Sequence, residues 1–254
     1  MFCFDLKDSD SDHLLKCKIM NQPKLVQEVI CSLNEMVDQK RKELAKTYYP
    51  TKMKVLGVTV PNIRILIKQL GPDLKNMTAS QKINFCKDLV HTNIFECQQI
   101  GYELIGKNKT LMNLITIEDI IQLDVNQDNW VSVDTFSGLI LGVAWRKGVI
   151  ADDEIFLKAR SSDFWIRRQS IVATLGWNQK ARGGTGNSNK TLQICGLFVD
   201  DHHDMINKAL SWALRELCKV DRQPVIDFMN EHDDKLAGRV KREVWNKLNT
   251  GLKN

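Results

Sequence analysis

Within "QDNWVSVDTFSG" (residues 127–138), Asp134 follows Trp130 by four residues, with Val131, Val133 and Phe136 around it. Residues four apart meet on one face of a helix, so this spacing sets a carboxylate against an indole among apolar neighbours. Two kinds of chemistry follow. The carboxylate can be structural, bonded to an arginine of a neighbouring helix or to a helix N-terminus. It can equally be reactive, placed where positive charge develops. Cleavage of an N-glycosidic bond develops such charge as the sugar becomes oxocarbenium-like, and a carboxylate then steadies the cation or orients the attacking water. Tryptophan faces share in holding a cation, by ~0.5–2 kcal/mol. The small pair Ser137–Gly138 is expected to leave a hollow beside Asp134 rather than cover it.

Cations and a second tryptophan gather further along. "INKALSWALRE" stacks Lys208, Trp212 and Arg215 on one helix face. "WIRRQ" supplies Arg167 and Arg168, and "AGRVKREVWNKL" supplies Arg239, Lys241 and Arg242. Basic groups interleaved with aromatic rings suit a phosphodiester backbone. The net charge of +5 permits such a partner without demanding it. A groove carrying Arg and Lys, two exposed tryptophans and one carboxylate is therefore expected. The other four tryptophans, Trp145, Trp165, Trp177 and Trp245, read as core.

Other chemistries fail on spacing. "GTGNSNKT" (184–191) approaches a phosphate-binding loop, but Asn189 stands where its second glycine belongs and no strand feeds it. His202 and His203 diverge on a helix and cannot chelate together, and His13, His91 and His232 lack ligand spacing, so no metal or cofactor is expected. Seven cysteines without a C-x-x-C pair read as buried, reduced thiols. The acidic opening "MFCFDLKDSDSDHLLK" does not read as a signal peptide and no apolar run reaches membrane-spanning length, so an intracellular, cytoplasmic or nuclear protein is expected.

The elements that must position these residues read as helices. Hydrophobic content of 43% with 26% charged residues argues for a folded core rather than disorder. "LVQEVICSLNEMV" places Leu25, Val29, Leu33, Met36 and Val37 on one stripe, and "VPNIRILIKQL" begins with Pro61 in a first turn. Thr78 or Ser80 reads as one cap and Thr116 as another, the latter with Asp119 three residues on. "KVLGVTV" is the one strand-like run. Over 129–145, Val133, Phe136, Ile140 and Val143 form the apolar face of a helix. Asn93, Asp128, Asp163, Asp204 and Asp234 read as recurring helix caps, 30–41 residues apart. That period predicts an all-α, HEAT-like helical-repeat solenoid with a concave DNA-binding groove, one domain over 1–254, with 1–20 as an N-terminal extension.

The segments "LGVTVPNIR" (56–64), "WVSVD" (130–134), "DFWIRRQSIV" (163–172), "INKALSWALRE" (206–216) and "RVKREVWNKL" (239–248) together resemble the AlkD-like DNA alkylation-repair family, HEAT-like-repeat alkylpurine DNA glycosylases. The resemblance covers roughly residues 45–254. It implies a monofunctional, monomeric enzyme that excises cationic N3- or N7-alkylated purines from duplex DNA without cofactor or metal. It places the catalytic carboxylate on Asp134, the site tryptophans on Trp130 and Trp212, a DNA-contacting arginine on Arg168 and a site tyrosine on Tyr48. Asn129 departs from members with a second aromatic there, and the "GGTGN" loop has no counterpart in compact members. Two other classes remain open: a protein-binding helical scaffold, and a non-catalytic binder of branched or distorted DNA.

Overall fold

Capping residues and apolar periodicity define the helices. The structure, a computed structural model, describes residues 23–253. Cys3, His13, Cys17 and the expected 1–20 extension lie outside the described residues. The fold is an all-α helical-repeat arrangement. The described residues fall into two compact units that divide between Leu104 and Ile105.

In the first unit, helices α1 (Lys24–Glu35), α2 (Gln39–Tyr48), α3 (Val60–Gln69), α4 (Gly71–Lys75), α5 (Ala79–Val90) and α6 (Phe95–Gly106) follow in order. Asp38 caps α2, Thr59 caps α3, and Thr78 forms a capping box with Gln81 at α5. The buried stripe of α1 is Val26, Val29, Ile30 and Leu33, whereas Val37 is exposed, because α1 ends before Val37. The strand-like "KVLGVTV" forms only an isolated bridge, Lys54 to Ile94. Its remaining donors go to a side chain instead. Glu96, buried on α6, accepts the backbone N–H groups of Leu56, Gly57 and Val58 at 2.7–3.2 Å. Burial pushes its carboxyl pKa up even though these three donors favour the charged form. One carboxylate here replaces the partner strand that the extended segment lacks.

The second unit continues with α7 (Lys109–Leu114), α8 (Ile117–Leu123) and α9 (Trp130–Phe136). A π-helical turn (Ser137–Leu141) then leads directly into α10 (Gly142–Arg146). Next come α11 (Asp152–Ala159), α12 (Phe164–Ala173), α13 (Leu175–Asn178), α14 (Ser188–Gly196), α15 (Asp204–Leu217), α16 (Arg222–Glu231) and α17 (Gly238–Thr250). Thr116 makes the capping box with Asp119 that the sequence predicts, and Asp163 caps α12. Asn129 rather than Asp128 caps α9, and His203 rather than Asp204 caps α15. Asp234 precedes α17 by a turn, and Asn93 adopts a positive φ of 59° instead of capping. The period survives these shifts. Helices beginning at 60, 95, 130, 164, 204 and 238 stand 35, 35, 34, 40 and 34 residues apart, and the 40-residue interval holds the 183–187 loop.

The start of α10, just after the π turn, packs against α12 and α13 at backbone distance. A Cβ on Gly142 would stand 2.1 Å from the Ala173 carbonyl oxygen, and one on Gly176 would stand 2.2 Å from the Gly142 carbonyl carbon. Both obstacles are main chain, so neither can turn aside. Around this crossing Val133, Phe136, Ile140, Leu141, Ile171, Val172 and Leu175 are fully buried. Gly176→Ala should therefore lower the urea midpoint by the equivalent of about 1–3 kcal/mol, the usual cost of overpacking. Circular dichroism during urea unfolding measures this, and an unchanged midpoint would refute the tight crossing.

Candidate functional site

Helix α12 presents three consecutive polar side chains, and each reaches an acid in a different part of the chain. Arg167 donates from Nε to Asp201 Oδ2 at 3.1 Å. Arg168 grips Asp134 with two bonds, Nε to Oδ1 and Nη2 to Oδ2, both 2.8 Å. Gln169 donates from Nε2 to Asp124 Oδ1 at 2.6 Å, where Lys158 also binds. The fork of Arg168 matches the carboxylate plane, which fixes Asp134 in orientation as well as position.

Arg168 is 4% exposed, and its Nη1 donates to the Met205 carbonyl at the start of α15. The side chain expected to contact DNA therefore lies inside the protein. Its guanidinium is committed to Asp134 and to backbone, because α12 directs it inward between α9 and α15. Asp134 remains partly open, with 16% of its side chain exposed. Burial pushes its carboxyl pKa above the ordinary value, while the Arg168 bonds and the charges of Arg168 and Arg182 work in the opposite direction.

The expected hollow over Gly138 is filled. Arg182, from the short 3-10 turn Lys180–Arg182, lays its guanidinium against Gly138. Burial lowers the Arg182 pKa below the usual guanidinium value, with Glu216 and Asp134 opposing that shift. Composition and spacing gave no sign of Arg182, since it belongs to a loop and meets Asp134 only through the fold.

Trp130 and Trp212 are both half-buried, Trp130 in the first turn of α9 and Trp212 on α15. Trp145 is core, donating from Nε1 to Asp152 at 2.8 Å and meeting Trp177 edge-on at 5.6 Å. Trp165, Trp177 and Trp245 are half-buried, more open than a core reading implies.

The expected basic stripe is largely paired. Lys208 meets Asp204 at 2.7 Å, and Arg215 lies 3.6 Å from Glu243. Arg239 lies between Asp204 and Glu243, at 3.8 and 3.7 Å. Arg215 is mostly buried with Glu243, which also accepts a bond from Ser211 at 2.7 Å. Lys208 and Arg239 pair at the surface, where a stronger anion can compete. Arg242 is exposed and carries no ion pair among the described residues. Tyr48, in the first unit, is 67% exposed beside a hollow of about 460 Å³ lined by Arg41, Leu44, Tyr49 and Val58.

The loop resembling a phosphate site is structural. Lys190 pairs with Asp152, Asn187 caps α14, and the buried Thr191 hydroxyl donates to Asn187 O at 2.8 Å. His203 stacks on Phe164 at 4.1 Å and accepts the Met205 N–H. Among the described residues, no group of three or more His, Cys, Asp or Glu side chains is placed to hold a metal. Cys86, Cys97 and Cys195 are buried, their thiols pushed up to about 12, whereas Cys31 is exposed. No helix among the described residues is long and apolar enough to cross a membrane.

Stacked helices bridged by polar contacts about one repeat apart, around an arginine-held aspartate, define a helical-repeat protein with a polar site on facing helices. The profile of the DNA alkylation repair enzyme family matches residues 29–248, and the chain belongs to that family. Membership supports a role in DNA alkylation repair and implies DNA as substrate. A solved structure described as a predicted DNA alkylation repair enzyme from Enterococcus faecalis is similar, with a TM-score of 0.66 and 20% identity over 85% of this chain and 98% of that one. At that identity the likeness shows the fold alone. No curated protein matches the chain.

The pairing carries a stability consequence. Arg168→Gln leaves a buried carboxylate without its fork and Asp134→Asn leaves a buried guanidinium without its acid, and each should cost about 3–5 kcal/mol. In a double-mutant cycle read by urea unfolding, the double variant should lose less than the two single losses combined, because one pair is removed in all three. Additive losses would show that the two side chains do not act together.

Proposed function

We propose that the protein is a monofunctional DNA glycosylase that releases cationic N3- or N7-alkylated purines from duplex DNA, acting as a monomer. The observation that supports this most directly is the fork of Arg168 on Asp134, which orients a carboxylate that stays partly open to solvent. A cationic purine is already a good leaving group, so the protein need not protonate it. What remains is to stabilise the oxocarbenium-like sugar and direct water, and a fixed carboxylate in a low-dielectric setting suits both. Each oxygen of Asp134 accepts one bond from Arg168, and a carboxylate has about four acceptor positions, so capacity is left for the sugar cation or for water. Trp130 and Trp212 supply aromatic faces for the lesion nucleotide. Arg242, Lys208, Arg239 and, in the first unit, Tyr48 are the groups offered to DNA. Arg168 acts by positioning Asp134 rather than by gripping phosphate.

One observation favours a second reading, binding of distorted DNA without catalysis: both Asp134 oxygens already bond Arg168. The two readings separate in one assay. Wild type should release 3-methyladenine or 7-methylguanine from methylated duplex DNA. Asp134→Asn should lose about 10²–10³-fold in rate, as when an electrostatic stabiliser is removed, while retaining DNA affinity. Equal release by both proteins would remove Asp134 from the chemistry. Tight binding with no release by wild type would favour the binder.

The same assay against pH gives a signed expectation. The carboxylate is the working form, so activity is present above the Asp134 pKa and is lost as pH falls through it. Because burial raises that pKa, the acid limb should lie above the ~3.9 of a free aspartate. A limb at or below that value would contradict the assignment.

A further inference from the structure

We propose that Arg182 is a positioning residue of the Asp134 site: the Lys180–Arg182 turn delivers a second guanidinium that keeps the carboxylate charged, and Gly138 is the seat that admits it. The activity readout rests on the glycosylase reading above; the electrostatic readout does not.

Three observations carry the proposal. The first is the seat. A Cβ on Gly138 would stand 1.9 Å from Arg182 Nη1, 2.6 Å from Cζ and 2.8 Å from Nη2, so the guanidinium lies against the glycine where any side chain would expel it. The second is the anchor beneath the turn. Arg146 donates from Nε to Gly176 O and from Nη2 to Arg182 O, both at 2.8 Å. Gly186 N–H to Trp177 O at 2.8 Å and Asn187 N–H to Asn178 Oδ1 at 3.1 Å pin the rest of the loop. The backbone that carries Arg182 is thus held by the helices that frame the site.

The third is an orphan donor. Arg182 Nη1 is buried and has no hydrogen-bond partner. A buried donor left unmade costs about 1–3 kcal/mol, so hydrogen bonding does not explain this seat. Charge does. Asp134 faces Arg168 from α12 and Arg182 from the turn, and Arg182 faces Asp134 and Glu216 of α15. Arg168 already gives Asp134 its two bonds and its orientation. A second cation that makes no bond to it acts through field alone, offsetting the burial that would otherwise neutralise the acid.

The test follows Asp134 by two routes: carboxyl 13C NMR titration with labelled aspartate, and base release from methylated duplex DNA across pH. The proteins are wild type, Arg182→Gln, Arg182→Lys, Gly138→Ala and the Arg182→Gln/Gly138→Ala double variant. Arg182→Gln should raise the Asp134 midpoint, and each unit of rise is about a tenfold loss of base release at a fixed pH on the acid limb. Arg182→Lys should restore most of the shift. Gly138→Ala should reproduce Arg182→Gln, because its methyl takes the seat, and the double variant should be no worse than either single one. A folded Arg182→Gln with an unmoved midpoint and limb overturns the proposal. So does a Gly138→Ala effect that adds to that of Arg182→Gln, which would mark Gly138 as a packing position only. If Arg182→Gln does not fold, Arg182→Lys and Gly138→Ala decide by the same criteria. A shifted NMR midpoint in variants of a protein that releases no base overturns the glycosylase reading and leaves the role of Arg182 standing.

Discussion

The two bonds from Arg168 to Asp134 decide how the second unit is put together and what its site can do. A carboxylate on α9 is tolerable at that depth only with a cation held against it, and Arg168 is itself buried enough to need the acid. Neither residue can be understood alone. Because the fork is bidentate, it also restricts rotation about the contact, so α9 and α12 meet in one orientation. A third bond, from Nη1 to the Met205 carbonyl, extends the same guanidinium to the helix that bears Trp212. Three helices that carry the aspartate, the arginine and the second tryptophan are thus referred to one planar group.

That contact belongs to a series. Lys158 to Asp124, Arg168 to Asp134 and Arg167 to Asp201 each join residues 34 apart in sequence, and Ser211 to Glu243 joins residues 32 apart. A separation of one repeat is what side chains meet when each repeat stacks on the next. Apolar burial supplies the cohesion of such an array, but apolar contacts tolerate sliding. Polar contacts with fixed partners do not, and they set the register between neighbours. The site uses one of these contacts as its chemical centre.

Much of this was legible in the residues. Helical content, the capping boxes at Thr78 and Thr116, the cap at Asp163 and the near-35-residue period all follow from local rules that one sequence displays. The pairing of Trp130 with Asp134 was visible as spacing, and a neighbouring arginine was one of two fates open to the acid. What local rules missed were the contacts made across repeats. Nothing in "WIRRQ" says that Arg168 turns inward, nor that Lys208, Arg215 and Arg239 find Asp204 and Glu243. A basic stripe in sequence reads as free charge, because its counter-charges lie 28–35 residues away or on the same helix. The hollow over Gly138 failed for a related reason, since the occupant comes from a loop whose path no periodicity predicts. The helix caps erred by a single residue at Asp128 and Asp204, where the adjacent side chain, Asn129 after the one and His203 before the other, had the better geometry.

The π turn between α9 and α10 has a consequence for the faces of that helix. Asp134 meets Arg168 and Gly142 meets Ala173, so both lie toward α12 although eight residues separate them. In an uninterrupted α-helix, at about 100° per residue, eight steps would leave them about 80° apart. A π turn takes in one extra residue over the same rise, so the eight behave as seven and the two come within about 20° of each other. The helix can be regarded as a regular one into which a single residue has been inserted. Shortening the chain by one residue within Leu139–Leu141 would then leave the carboxylate and the glycine on the same side, whereas removing Thr135 or Phe136 would rotate one away from the other. The stretch just after Gly138 is therefore a place where sequence length can change while the geometry around the acid is kept.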